Sequence, residues 1–198
     1  MNSTTKDHFT FNVHNSALVV GQTGSGKTEL VRQYIRRIER AYTPDQMKYV
    51  LFDLKQVEFD PSWDGGAKME YLYTTVRTGT PDDMDYLEEL AELAKTRATQ
   101  DMPIPFLFIY IEECDLAVQY PGRFHEAVIT INNNANAANM KLIFSTSRPS
   151  RDIITPELRD SFDLILSGVL ASHADEETLA TRGSLTTHDF MVKEQRSY

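Results

Sequence analysis

Cysteine, basic charge and long hydrophobic runs are all scarce in this chain. One cysteine in 198 residues, Cys114, excludes a disulfide within the chain and suits a reducing compartment. It follows two acids with no histidine near it in sequence, the setting of a small core residue rather than a nucleophile. The five histidines, His8, His14, His125, His173 and His188, show no metal-ligand spacing with it, so no zinc site is expected. The only unbroken, strongly apolar run is Phe106 to Ile111, far short of the ~20 residues of a membrane helix. Met1 to Phe9 is polar and has no signal-peptide core, so a cytoplasmic chain is expected. Lysine and arginine number 20 against 29 acids, a net charge of −9. Such a chain is no general nucleic-acid binder; any DNA contact must come from a local basic patch or a shared pore.

What is present is ordinary in bulk and specific in detail. Hydrophobic residues make up 41% and charged residues 25%, the balance of a globular protein. A chain of this length is most simply one domain, able to bury about 70% of its unfolded surface. Residues 1–15 read as an N-terminal extension and 191–198 as a C-terminal tail. Between them, apolar runs alternate with helical patterns, the signature of a mainly parallel sheet covered by helices on both faces. The expected strands are Ala17–Val20, Tyr49–Phe52 ending at Asp53, Phe106–Ile111, Leu142–Phe144 and Leu164–Leu166. Thr80 is a candidate N-cap, with Pro81 at N1 and Asp83 at N3, for a helix through Leu87, Leu90, Ala91 and Ala94. Another helix runs from about Arg123 through Ile131 into a crowd of asparagines, which predicts an irregular or side-chain-capped end. Thr155-Pro156-Glu157 opens a short one.

The octapeptide Gly21-Gln22-Thr23-Gly24-Ser25-Gly26-Lys27-Thr28 fits G-x-x-x-x-G-K-[ST] without a gap. Four constrained positions match by chance in on the order of one chain per hundred of this length. Here the flanks also agree: an apolar strand precedes, and Leu30, Val31, Tyr34, Ile35 and Ile38 follow at helical spacing. Glycines let backbone N–H groups face phosphates, and the helix N-terminus adds partial positive charge. Lys27 would reach the β- and γ-phosphates of ATP, and the Thr28 hydroxyl would ligate Mg²⁺. A plain glycine turn beside an incidental lysine is the simpler alternative.

Two acids, Glu112 and Glu113, follow the six apolar residues of the third strand. At the carboxyl end of a parallel strand, Glu112 is the Mg²⁺ candidate and Glu113 the base that activates the attacking water. A solvated strand end is the alternative. Thr146 ends the next strand, where a hydroxyl could sense the γ-phosphate; a turn rich in serine and threonine at Ser145–Ser147 is equally compatible with the spacing. No D-x-x-G or N-K-x-D string is present, which argues against a GTPase, and the arginines are too scattered for a small-molecule kinase lid.

Beyond the P-loop, Leu51-Phe52-Asp53-Leu54-Lys55-Gln56-Val57-Glu58-Phe59 resembles the "I-D-P-K-x-V-E-F" segment of the FtsK/SpoIIIE branch of the FtsK–HerA ATPases. Ile109 to Leu116 is similar to that branch's "h-h-h-D-E-x-x-D-L" strand, and Leu142 to Ser150 to its "L-I-x-A-T-Q-R-P-S". The resemblance extends over roughly residues 17 to 190. It implies a RecA-like P-loop NTPase core, ATP and Mg²⁺ as cofactors, and a homo-oligomeric ring, a hexamer, that pumps double-stranded DNA. Three positions depart from the pattern: Glu112 replaces the aspartate, Ser147 the glutamine, and Asn136 the arginine that faces a neighbouring subunit. Arg148, Arg151 and Arg159 lie near enough in sequence to take over that arginine's role.

Without a membrane segment or a DNA-orienting domain after residue 190, the chain resembles a bare motor core. Viral genome-packaging ATPases and plasmid-transfer motors have that form, which implies a capsid or transfer-machinery partner and, if viral, a place in the virion. Gln56 to Lys68 and Gln119 to Arg123 are the candidate DNA loops. A protein-secretion ATPase of the same branch and a non-hydrolysing nucleotide-binding ring subunit are the two other functions compatible with these residues.

Overall fold

The structure is a computed structural model that describes residues 16–55, 59, 67–101, 105–113, 115–168 and 170, and the backbone of 191–194. Cys114 and four of the five histidines lie outside the described residues, as does most of the Gln56–Lys68 segment.

Six strands form one sheet in the order β2-β3-β4-β1-β5-β6. The first five, β1 (Ala17–Val20), β2 (Met47–Asp53), β3 (Phe106–Glu112), β4 (Met140–Thr146) and β5 (Leu164–Ser167), are parallel. All are buried at every position but one, Lys48 being half-buried. That is why their centres read as short apolar runs rather than alternating ones. The strand β6 (Met191–Glu194) pairs antiparallel with β5 at the edge, within the stretch that the sequence suggested was a tail. Four isolated residues in a polar terminus carry no strand signal, so only the pairing reveals it.

Helices cover both faces. The helix α1 (Lys27–Ala41) packs Val31, Tyr34, Ile35 and Ile38 on one face, against Ala17, Val19, Phe108 and Tyr110. The helices α2 (Asp82–Arg97) and α4 (Pro121–Asn134) cover the other, with Leu87, Leu90, Val128 and Ile131 against Leu18, Ile109 and Phe144. Two short helices, α3 (Asp115–Gln119) and α5 (Pro156–Asp160), complete this layer. At α5 the Thr155 hydroxyl accepts the Leu158 N–H at 3.2 Å, the expected cap.

At the start of α2 the acid, rather than the threonine, does the capping. The helix begins at Asp82, and Asp83 Oδ2 accepts the N–H groups of Gly79 (2.6 Å) and Thr80 (2.9 Å) while its other oxygen pairs with Arg77 at 2.6 Å. The asparagine-rich stretch remains helical through Asn134. Asn132 donates to Ser161 Oγ at 3.0 Å and Asn134 to the Thr130 carbonyl at 2.8 Å, before Asn139 turns the chain at φ 51°.

One buried cation stands out. Lys141 on β4 is fully buried on the α1 face, its ammonium 4.6 Å from the centre of the Tyr34 ring. Burial pulls its pKa down to about 7, with the Asp163 charge offsetting part of the effect. Between about pH 7 and the normal lysine range the unfolded chain therefore binds more protons, and stability must rise with pH across that window. Lys141→Met is expected to flatten this rise and to raise stability at pH 7 by on the order of 2 kcal/mol. Unfolding midpoints measured from pH 6.5 to 9.5 check it.

Candidate active site

Register decides what meets at the carboxyl edge of the sheet. Val20 lies opposite Thr146, Ser145 opposite Glu112, and Glu112 opposite Asp53. The residues just beyond these strand ends (Gly21, Ser147, Glu113 and Lys55) therefore emerge along one edge. β4 stands between β1 and β3, so the glycine loop and the acid pair are separated by one strand.

The glycine loop is built by backbone conformation. Gly24 and Gly26 have φ of 82° and 92°, left-handed values that a side chain would penalise by ~1 kcal/mol or more. An added Cβ at Gly24 would meet nothing within 4 Å, so it is the backbone conformation rather than crowding that calls for glycine there. The Gly26 carbonyl receives the Leu30 N–H at 2.9 Å and starts α1, whose N-terminus faces the loop. Gly21 N–H donates to the Thr146 carbonyl at 3.3 Å and ties the loop to β4, and Ser25 N–H closes a turn on the Gln22 carbonyl at 3.1 Å. The side chains of Gln22 and Thr23 are exposed, so these positions serve through their backbone.

Lys27 is the first residue of α1 and is buried. Its ammonium donates to the carbonyls of Gly21 (2.7 Å) and Gln22 (3.3 Å), so that it bridges its own loop. Burial lowers its pKa; the Glu113 charge opposes that shift, the Lys55 charge adds to it, and the Glu112 charge opposes it again. A terminal phosphate arriving here would relieve the penalty on a buried ammonium. One residue on, the Thr28 hydroxyl donates to Glu112 Oε1 at 3.0 Å. A hydroxyl and a carboxylate converging beside a phosphate cradle make a hard-oxygen donor set suited to Mg²⁺. The glutamate reaches from β3 to the start of α1 by direct contact.

Glu113 is held differently. Its backbone sits at φ 66°, unusual for a residue with a side chain, and its N–H continues the β4 pairing onto the Ser145 carbonyl at 2.7 Å. Lys55 Nζ donates to Oε1 at 2.8 Å, while Ser147 donates to Oε2 through its hydroxyl (2.9 Å) and its N–H (3.3 Å). Burial alone would raise the carboxyl's pKa, but the hydrogen bonds from Lys55 and Ser147 outweigh it and hold the group below the usual carboxylate range. Glu113 is therefore ionised and fixed in position.

Sequence reasoning quoted Lys55 and Ser147 without giving either a part in holding the acid. The available signal was the family-specific run from Asp53 to Phe59, whose buried Asp53 accepts the Phe59 N–H at 2.9 Å and shapes the turn carrying Lys55. Thr146 is fully buried; its hydroxyl accepts the Arg148 N–H at 3.0 Å, the geometry of the serine/threonine turn, and Ser147 is the side chain that reaches the acid. Asn136 is exposed at the amino end of β4. Seven strand residues, roughly 20 Å, separate that end from the carboxyl edge. A side chain at 136 therefore lies at the end of the sheet away from this chain's own candidate site. Arg148 and Arg151 are exposed on the site's own edge, and Arg159 pairs with Asp160 at 2.8 Å. In the candidate DNA segment Gln119–Arg123, the arginine is held by Asp85 and Glu88 at 2.5 and 2.6 Å. In the other, Lys68 pairs with Glu39 at 2.8 Å.

The parallel sheet, with one strand between the glycine loop and the acid pair, defines an α/β, RecA-like P-loop ATPase core. The FtsK/SpoIIIE family profile matches residues 3–151, and the chain belongs to that family. It is 26% identical over 185 residues to the DNA translocase FtsK of Streptococcus pneumoniae, a match spanning 82% of this chain and 24% of the translocase. The chain thus spans about a quarter of the length of the curated relatives it matches. Among solved structures it is similar to ATPases 2 and 3 of EssC from Geobacillus thermodenitrificans, with a TM-score of 0.69 at 13% identity over 91% of this chain and 38% of that one. It is also similar to the genome packaging NTPase B204 of Sulfolobus turreted icosahedral virus 2, solved with AMP, with a TM-score of 0.55 at 17% identity over 85% and 82% of the two chains. Among the described residues no helix is long and apolar enough to cross a membrane.

Proposed function

We propose that this chain is an ATP-hydrolysing motor domain that moves double-stranded DNA as a homo-oligomeric ring. The observation that carries the ATPase half is the convergence of four side chains from two elements: Lys27 and Thr28 on α1, and Glu112 and Glu113 at the end of β3. The glycine loop and Lys27 bind the phosphates of ATP. Thr28 and Glu112 would hold Mg²⁺, which neutralises charge on the transferring phosphate when bound. Glu113, ionised and fixed, accepts a proton from the attacking water or orients it. The Thr146–Ser147 turn lies beside it, where the γ-phosphate would be sensed.

DNA as cargo is supported by membership of the FtsK/SpoIIIE family and by likeness to a DNA translocase. Genome packaging or plasmid transfer, with a capsid or transfer-machinery partner, is the setting favoured by likeness in fold to a viral genome packaging NTPase. ATP turnover measured with and without duplex DNA, across DNA lengths and salt concentrations, is the test. A rise of at least ~10-fold with DNA is expected for a coupled motor; turnover that DNA never stimulates would remove the DNA half and leave the ATPase.

A protein cargo is the second proposal, favoured by the charge of −9 and by the pairing of Arg123 and Lys68 with acids at the candidate DNA segments. Retention of a peptide tail instead of duplex DNA would select it. A non-hydrolysing ring subunit, suggested by Asn136 and Glu112, predicts ATP binding with no turnover under any activator.

A further inference from the structure

Lys55 is a cation in contact with the acid pair that the P-loop scheme leaves unused. It stands two residues beyond β2, and the pairing of β2 with β3 aligns Asp53 with Glu112, so that the turn after β2 brings Lys55 alongside Glu113. The contact at 2.8 Å joins a carboxylate that is nearly buried to an ammonium about half exposed, with relative exposures of 9% and 45%. A carboxylate offers about four acceptor sites. Lys55 and the two Ser147 donors occupy three of them and leave one for a water molecule. The left-handed backbone at Glu113 already restricts where this side chain can point, so the three donors select one orientation rather than search among many. Lys55 and Lys27 also lie close enough for each charge to disfavour the other.

We infer that Lys55, together with Ser147, is a positioning residue for ATP hydrolysis: it acts through Glu113, holding that carboxylate so that its remaining acceptor site faces the attacking water. This rests on the ATPase reading above. Lys55 is not assigned a bond to the nucleotide, and binding is left to the glycine loop and Lys27.

The test compares Lys55→Met, Lys55→Arg, Glu113→Gln and the double variant Lys55→Met/Glu113→Gln in the full chain. Lys55→Met is expected to lower kcat by about 10-fold or more while KM and ATP affinity stay within about threefold, and Lys55→Arg to recover most of the loss. The double variant is expected to turn over no more slowly than Glu113→Gln alone, because a residue acting only through Glu113 has nothing further to lose. Losses that multiply, or a loss carried by KM, would show that Lys55 works on the phosphate directly and overturn the inference. So would a Lys55→Met chain as fast as the parent or faster. Denaturant unfolding without nucleotide reads the same pair apart from turnover: the two substitutions should be non-additive by at least about threefold in the folding constant, and additivity overturns the pairing. A parent chain without turnover, or Glu113→Gln at the parent rate, would instead defeat the proposed function, and the unfolding cycle then decides the pair by itself.

Discussion

Lys27→Ala is expected to reduce ATP turnover by at least ~10²-fold and to weaken ATP binding together with it, since removing a preorganised cation from a partly buried phosphate site costs about 3 kcal/mol or more. The ammonium is buried and bridges the Gly21 and Gln22 carbonyls, so nothing else in the loop can place a full positive charge there. Folding should respond in the opposite sense. Burial disfavours the Lys27 charge in the nucleotide-free chain, so the alanine variant should unfold at the same temperature as the parent or higher. What it should lose is the upward shift in unfolding temperature on adding ATP, which for a binding-competent chain at about 100 times its Kd corresponds to about 2.7 kcal/mol. Calorimetric titration and thermal unfolding with and without ATP measure both. A variant that binds and turns over like the parent would refute the site.

Glu113→Gln is expected to separate binding from chemistry. The amide keeps the size of the side chain and one acceptor oxygen for Ser147, but it gives up the charge that pairs with Lys55 and the ability to take a proton. Turnover should fall by roughly 10²- to 10³-fold, the range for loss of a general base, with ATP affinity within a few-fold of the parent. Single-turnover rates beside equilibrium binding make the measurement. Loss of affinity as large as the loss of rate would mean that Glu113 belongs to the phosphate cradle rather than to the chemistry.

Much of the fold was legible because burial on both faces leaves a plain trace. Each of the five parallel strands carries an apolar run of three residues or more, and α1 and α2 show their buried positions at helical spacing. The P-loop was legible for a different reason: left-handed backbone at Gly24 and Gly26 admits few other residues, so the chemistry is written in the glycines themselves. The short α3 and the edge strand β6 were not legible, because elements of five and four residues have too little periodicity to register. At the start of α2, Asp83 at N3 accepts the Thr80 N–H as the signature implied, and the same oxygen also takes the Gly79 N–H in a charge-assisted bond that the signature did not show.

The strand, glycine loop and helix of the proposed phosphate cradle, and the two acids that end another buried strand, were already legible in the amino-acid order. These are local facts, each carried by a few neighbouring residues whose backbone preferences and hydropathy need no partner. The roles expected for the two acids follow from their order in the sequence; the partners that hold each of them come from the fold. Glu112 reaches Thr28 from 84 positions away, and Glu113 turns from it through a left-handed residue toward Lys55, 58 positions away, and Ser147, 34 away. Such contacts follow from strand register and order, which hydrogen bonding between distant segments sets and no local spacing encodes. The different surroundings of two adjacent glutamates are therefore a property of the sheet.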